Sequence, residues 1–108
     1  MAHFVKNSDV TAANLPGGLS RKVLSHTEDM MVVEITFPAG APGGLHSHPH
    51  VQSSYVVSGV FEYQVGEVKY TMRAGDSITV EGGAMHGCSC IEEGVLLDIF
   101  TPERKDFL

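Results

Sequence analysis

The strongest constraint on what this chain can fold into is its punctuation. Runs of roughly four to eight β-branched and aromatic residues are cut by glycine-bearing turns about every eight to twelve residues, and no stretch keeps a helical period; this is the pattern of a β-sandwich or barrel. Met30 to Phe37 places Met31, Val33, Ile35 and Phe37 on one side of a strand. Ser53 to Val57 reads as the next strand, ending at a Ser58-Gly59 turn, with Val60 to Val65 after it. Gly66-Glu67 forms a hairpin tip before Val68 to Arg73. Ala74-Gly75-Asp76 and Glu81-Gly82-Gly83 bracket a strand over Ser77 to Val80. A last strand, Val95 to Phe100, stops at Pro102, which has no N–H to offer a ladder. Residues 11 to 18 and Pro38 to Gly44 read as loops. The expectation is one all-β domain over 1–108, with a core over 21–101, an N-terminal loop over 1–20 and a tail over 102–108.

A chain of 108 residues, 43% hydrophobic, has material for one ordinary core without disulfide staples. No run approaches the ~18 apolar residues of a membrane span. The opening, Met1 to Val10, lacks the apolar stretch of a secretory signal, which makes the cytoplasm the expected location. A net charge of −6 argues against nucleic acid and anionic membranes as partners, but leaves room for a small anionic ligand, which needs just one local positive centre. Cys88 and Cys90 sit too close in sequence to bridge comfortably and fit a reducing compartment.

The chemistry concentrates in His46, His48, His50 and Gln52, which share one parity and would leave one face of an extended strand together. As core residues they would each strand polar atoms; as ligands for a divalent ion they make sense. His86, after the Gly82-Gly83 turn, can close such a site from a neighbouring strand. His50 follows Pro49, which twists the chain, and reads equally as a ligand's support or as pocket lining. His3 and His26 lie outside the pattern. Cys88 and Cys90 share the parity of His86 and read as packed thiols rather than ligands.

The last strand has two faces, Val95, Leu97 and Ile99 on one and Leu96, Asp98 and Phe100 on the other. With the first set outward, Asp98 enters the barrel as an acid–base candidate; with the phase reversed, it sits in solvent. Arg104, beyond Pro102, can reach back over the barrel mouth and fork onto a carboxylate.

Gly40, His46, His48, Gln52 and Gly59, at their spacings, resemble the first cupin motif, and Gly75, Glu81, Gly83, His86 and Cys90 resemble the second, with fifteen residues between the two. Gln52 stands where the motif carries glutamate, Glu81 where it carries proline, and Cys90 where it carries asparagine. The resemblance implies a double-stranded β-helix, a jelly-roll barrel. His46-Ser47-His48-Pro49-His50, Ser58 to Tyr63, Met85 to Cys88 and Leu97 to Pro102 through Asp106-Phe107 are similar to the KdgF-type pectin-degradation cupins. That resemblance implies one divalent ion on His46, His48, Gln52 and His86; nickel and zinc suit this ligand set, with iron or manganese as alternatives. It implies a homodimer, and a small-molecule unsaturated uronate converted to a linear keto sugar. Asp98, Phe100 and Arg104 would hold the substrate-site positions, with Tyr55, Phe61 or Tyr63 packing on the sugar ring. A neutral amide in place of a carboxylate would leave the ion its full charge. Two other readings stand beside this one: a different metal-dependent cupin enzyme, such as a sugar isomerase or dioxygenase, and a non-catalytic sugar-binding module.

Overall fold

The computed structural model describes residues 1–108. Seven strands form it: β1 (Ala13–Asn14), β2 (Ser20–His26), β3 (Met31–Phe37), β4 (Val51–Val65), β5 (Val68–Arg73), β6 (Ser77–Val80) and β7 (His86–Thr101). All pairings are antiparallel, in the order β1-β2-β3-β7-β4-β5, with β6 added on β4. No helix is long and apolar enough to cross a membrane.

Two strands build the barrel. The first half of β4 pairs with the second half of β7, and the second half of β4 with the first half of β7. Where the expected turn stood, Ser58-Gly59 is instead a bulge inside the fifteen-residue β4, and the register shifts between Val56 and Phe61. Gly59 takes φ 86°, and a Cβ there would press on the Glu93 carbonyl and on Gly94 of β7, so glycine is required on both counts. The bulge also changes parity. Gln52, Ser54 and Val56 face inward before it, and Phe61 and Tyr63 face inward after it.

On β7 the buried side chains are even-numbered, His86, Cys90, Leu96, Asp98 and Phe100, with the alternation interrupted at the exposed Ile91 to Glu93. Val95, Leu97 and Ile99 face outward, which settles the phase of the last strand; Val95 to Phe100 is the second half of a sixteen-residue strand. Phe37, Val56, Phe61, Met72, Val80 and Leu96 lie in the main core, with Phe61 edge-on to Phe37 at 5.1 Å between ring centroids. Met31, Val33 and Phe100 form a smaller cluster.

Residues 1–20 are not simply a loop: they hold a 3-10 turn at Asn7–Asp9, the short β1, and a second 3-10 turn at Pro16–Gly18. β2 is a further strand that the punctuation did not mark, because Ser20–His26 is half-buried along its whole length and shows no alternation. The tail folds into a 3-10 turn at Lys105–Phe107.

Candidate metal centre and pocket

His46, His48, His50 and Gln52 do not share a strand. β4 begins at Val51, and the preceding segment carries an isolated bridge between His46 and His86. That bridge is closed by both backbone bonds, at 2.9 and 2.8 Å. Gly83 N–H donates to the His48 carbonyl at 2.8 Å, and Gly82 lies so near Pro49 that a side chain would overlap its carbonyl. The Gly82-Gly83 turn thus clamps the histidine segment onto the start of β7. Three rings converge: His46 on His86 at 4.6 Å, His48 on His86 at 4.8 Å, and His46 on His48 at 5.8 Å between centroids.

The hydrogen bonds fix which tautomer a neutral ring adopts. The Nδ1 of His46, His48 and His86 face the backbone carbonyls of Gly44, His50 and Ala84 at 3.2, 3.1 and 2.9 Å. A carbonyl only accepts, so each Nδ1 carries a hydrogen, and a ring that is neutral then presents a bare Nε2. Into the same space comes the Gln52 Oε1, another acceptor, 2.9 Å from His48 Nε2 and 3.2 Å from His86 Nε2. Lone pairs so placed repel unless a positive centre stands among them. A proton is a poor one, because burial holds the His48 and His86 imidazoles below the usual histidine range. The His46, His48 and His86 cluster, with its ligand atoms within 4.8 Å of one another, is suited to a metal ion.

This centre opens into a cavity of about 350 Å³ that runs down the barrel and is lined by His46, Gln52, His86, Asp98, Phe100 and Arg104, with Tyr63, Cys88 and Phe107 also on its wall. Ser54 and Asp98 are direct cross-strand partners, and Ser54 Oγ donates to Asp98 Oδ1 at 2.6 Å. Burial pushes the Asp98 carboxyl up to about 6, against the Ser54 bond that pulls it down. Gln52 Nε2 donates to Ser54 Oγ at 3.1 Å and to Tyr63 Oη at 3.2 Å. Arg104 lines the cavity with its guanidinium 4.3 Å from the Phe107 ring centroid and 5.2 Å from that of Phe100. Its Nε and Nη2 grip Asp106 at 3.0 and 2.8 Å.

Other expected residues fall elsewhere. His50 supports His48 through its backbone carbonyl, while its ring Nε2 meets the Glu103 carbonyl at 3.2 Å, outside the cluster. Tyr55 stands 45% exposed on the outer face and Phe61 is sealed in the core, so of the three aromatics weighed for the sugar ring just Tyr63 reaches the cavity. Cys88 lines the cavity, and burial pushes its thiol up to about 12; Cys90 is buried in the core. His26 lies by Glu103, 3.3 Å away, apart from the cluster. Sequence reasoning missed Ser54, Asp106 and the wall position of Phe107. Asp106 and Phe107 entered the sequence reading only within the family resemblance and without a role, and Ser54 had one local signal, its shared parity with Gln52.

A small antiparallel β-barrel with a three-histidine cluster suited to a metal ion, beside an internal cavity, is the architecture that these elements define. Residues 33–100 match the cupin domain family. Over its full length the chain is 36% identical to the pectin degradation protein KdgF of Dickeya dadantii, also covered in full. Among solved structures, KdgF from Halomonas sp. is 34% identical with full coverage of both chains and a TM-score of 0.95. An RmlC-like cupin from Shewanella frigidimarina is 39% identical over 100% of this chain and 97% of its own, also with a TM-score of 0.95. The chain belongs to the cupin family and falls among its KdgF-like members.

Proposed function

We propose that this protein opens cyclic monouronates carrying a C4=C5 double bond, of the kind that lyases release from pectin or alginate, into linear keto acids. The observation that carries the reading is the convergence of three bare Nε2 atoms and Gln52 Oε1 at one end of a cavity whose wall also bears Asp98, Phe100 and Arg104. Full-length likeness to the pectin degradation protein KdgF supports the substrate class.

His46, His48, Gln52 and His86 would hold one divalent ion, and imidazole with amide oxygen suits nickel or zinc. All four ligands are neutral, so when bound the ion supplies a Lewis-acidic centre of full 2+ charge for oxyanion character on the substrate. The remaining work falls to the chain itself. Arg104 binds the uronate carboxylate: Asp106 occupies its Nε/Nη2 edge and leaves Nη1 without a protein partner. Phe100, which lines the cavity below the guanidinium, packs against the sugar ring. Asp98 moves the proton. Its Oδ1 is held by Ser54, which leaves Oδ2 for exchange. It takes the hydrogen of the anomeric hydroxyl as the C1–O bond to the ring oxygen breaks and C1 becomes an aldehyde. The same proton then goes to C4, and the C5 enolate becomes a ketone. Atoms balance with no oxidant or second substrate. A carboxyl raised to about 6 is matched to both halves of this exchange near neutral pH.

The test is incubation with a lyase-generated unsaturated monouronate. Loss of the C4=C5 ultraviolet absorbance should run well ahead of the spontaneous rate, NMR should show a new C4 methylene, and chelation should stop the reaction until nickel or zinc is restored. Decay at the spontaneous rate with metal-loaded protein would overturn the proposal.

A further inference from the structure

Gln52, Ser54, Tyr63 and Asp98 are all buried and form a closed set of bonds beneath the histidine cluster. An amide can sit in such a place with either face forward. Gln52 could offer its oxygen to the histidine nitrogens and its NH2 to the hydroxyls, or the reverse, and the two orientations differ completely in what they offer a cation.

The bond between Ser54 and Asp98 decides between them. At 2.6 Å it has the length of a hydroxyl donating to a carboxylate, so the single hydrogen of Ser54 is spent on Asp98 Oδ1. Ser54 Oγ can then just accept from its other neighbours. Tyr63 Oη, 3.1 Å away, gives its hydrogen to Ser54, whose own hydrogen is already spent. Both hydroxyls therefore present lone pairs toward position 52, and the group that satisfies them is an NH2, found at 3.1 and 3.2 Å. With the NH2 so held, Oε1 has nowhere to point but at His48 and His86.

We propose that Ser54 and Tyr63 are positioning residues for the metal centre: they select an amide at position 52 and lock its oxygen toward the histidines before any ion arrives. The inference rests on Gln52 acting as a ligand, as proposed above. It also explains why glutamine stands where the cupin motif carries glutamate. A carboxylate at 52 would set its second oxygen against two hydroxyls whose hydrogens are already committed, beside the Asp98 carboxyl.

The experiment reads metal affinity, by competing nickel or zinc off the loaded full-length protein with a chromogenic chelator. Ser54→Ala and Tyr63→Phe should each weaken binding about tenfold, within the range known for partners that orient a ligand. Tyr63→Phe removes one oxygen and guards against a Ser54 variant that fails to fold. In a Gln52→Ala background the Ser54→Ala loss should shrink to less than twofold, which a merely structural role would not do. Wild-type affinity in both single variants, or an equal Ser54→Ala loss in both backgrounds, would overturn the proposal. Because the readout is affinity rather than turnover, a protein that binds metal as described but leaves uronates untouched would sink the functional reading alone.

Discussion

Replacing Asp98 with asparagine should make the metal-free protein more stable and far less active. The side chain is 5% exposed and burial raises its pKa from 3.8 to about 6. The folded state therefore holds this proton more tightly than the unfolded chain does. Well below pH 3.8 the group is neutral in both states and costs nothing. As pH rises through the window from 3.8 to about 6, the unfolded chain ionises first and stability falls. Above that window the buried carboxylate carries a penalty of about 3 kcal/mol, at about 1.4 kcal/mol for each pH unit of the gap. Asparagine keeps the shape and the oxygen that accepts from Ser54, and it removes the charge. In chelator-treated protein at pH 8 its melting temperature should rise by on the order of 10 °C, with most of the advantage gone by pH 4. Uronate turnover by the loaded variant should fall about 10²- to 10⁴-fold, since the proton carrier is gone. Thermal melts by circular dichroism at the two pH values are the assay. A variant that melts with the wild type at pH 8, or whose gain is the same at pH 4, would refute the account of Asp98 as a buried, destabilising acid.

Phe61→Ala should cost about 3–5 kcal/mol, because the ring is sealed in the core and edge-on to Phe37 at 5.1 Å; urea unfolding would measure it. Arg104→Lys keeps the charge but loses both the fork and the flat contact with Phe100 and Phe107. It should raise KM for the uronate about tenfold or more with kcat little changed, and steady-state kinetics that show the reverse split would assign Arg104 another role.

The long strands show where local reading reached its limit. Ser58-Gly59 has the composition of a turn, and a turn is what the chain alone suggests there. Whether it reverses the strand or merely kinks it depends on whether β7 runs alongside both halves, as it does from His86 to Thr101. The same missing partner hid β2, whose half-buried residues carry no alternation to read. Likewise His46 to Gln52 shared a parity that turned out not to be their common cause. Two of the histidines are brought to His86 and Gln52 by the clamp of Gly82-Gly83 and the bridge to β7, while His50 turns toward Glu103.

By itself the sequence determined the all-β class, the histidine and glutamine set, and the pairing of Asp98 with Phe100 on one strand face, because residue type and a period of two are local properties. Only the tertiary structure decided which face of that strand turns inward, that Tyr63 joins Gln52 across a bulge that reverses parity, and that Ser54 links the amide to the acid. Those facts depend on which strands lie side by side, and cross-strand register is set by the packing of the whole barrel, not by any one segment of it.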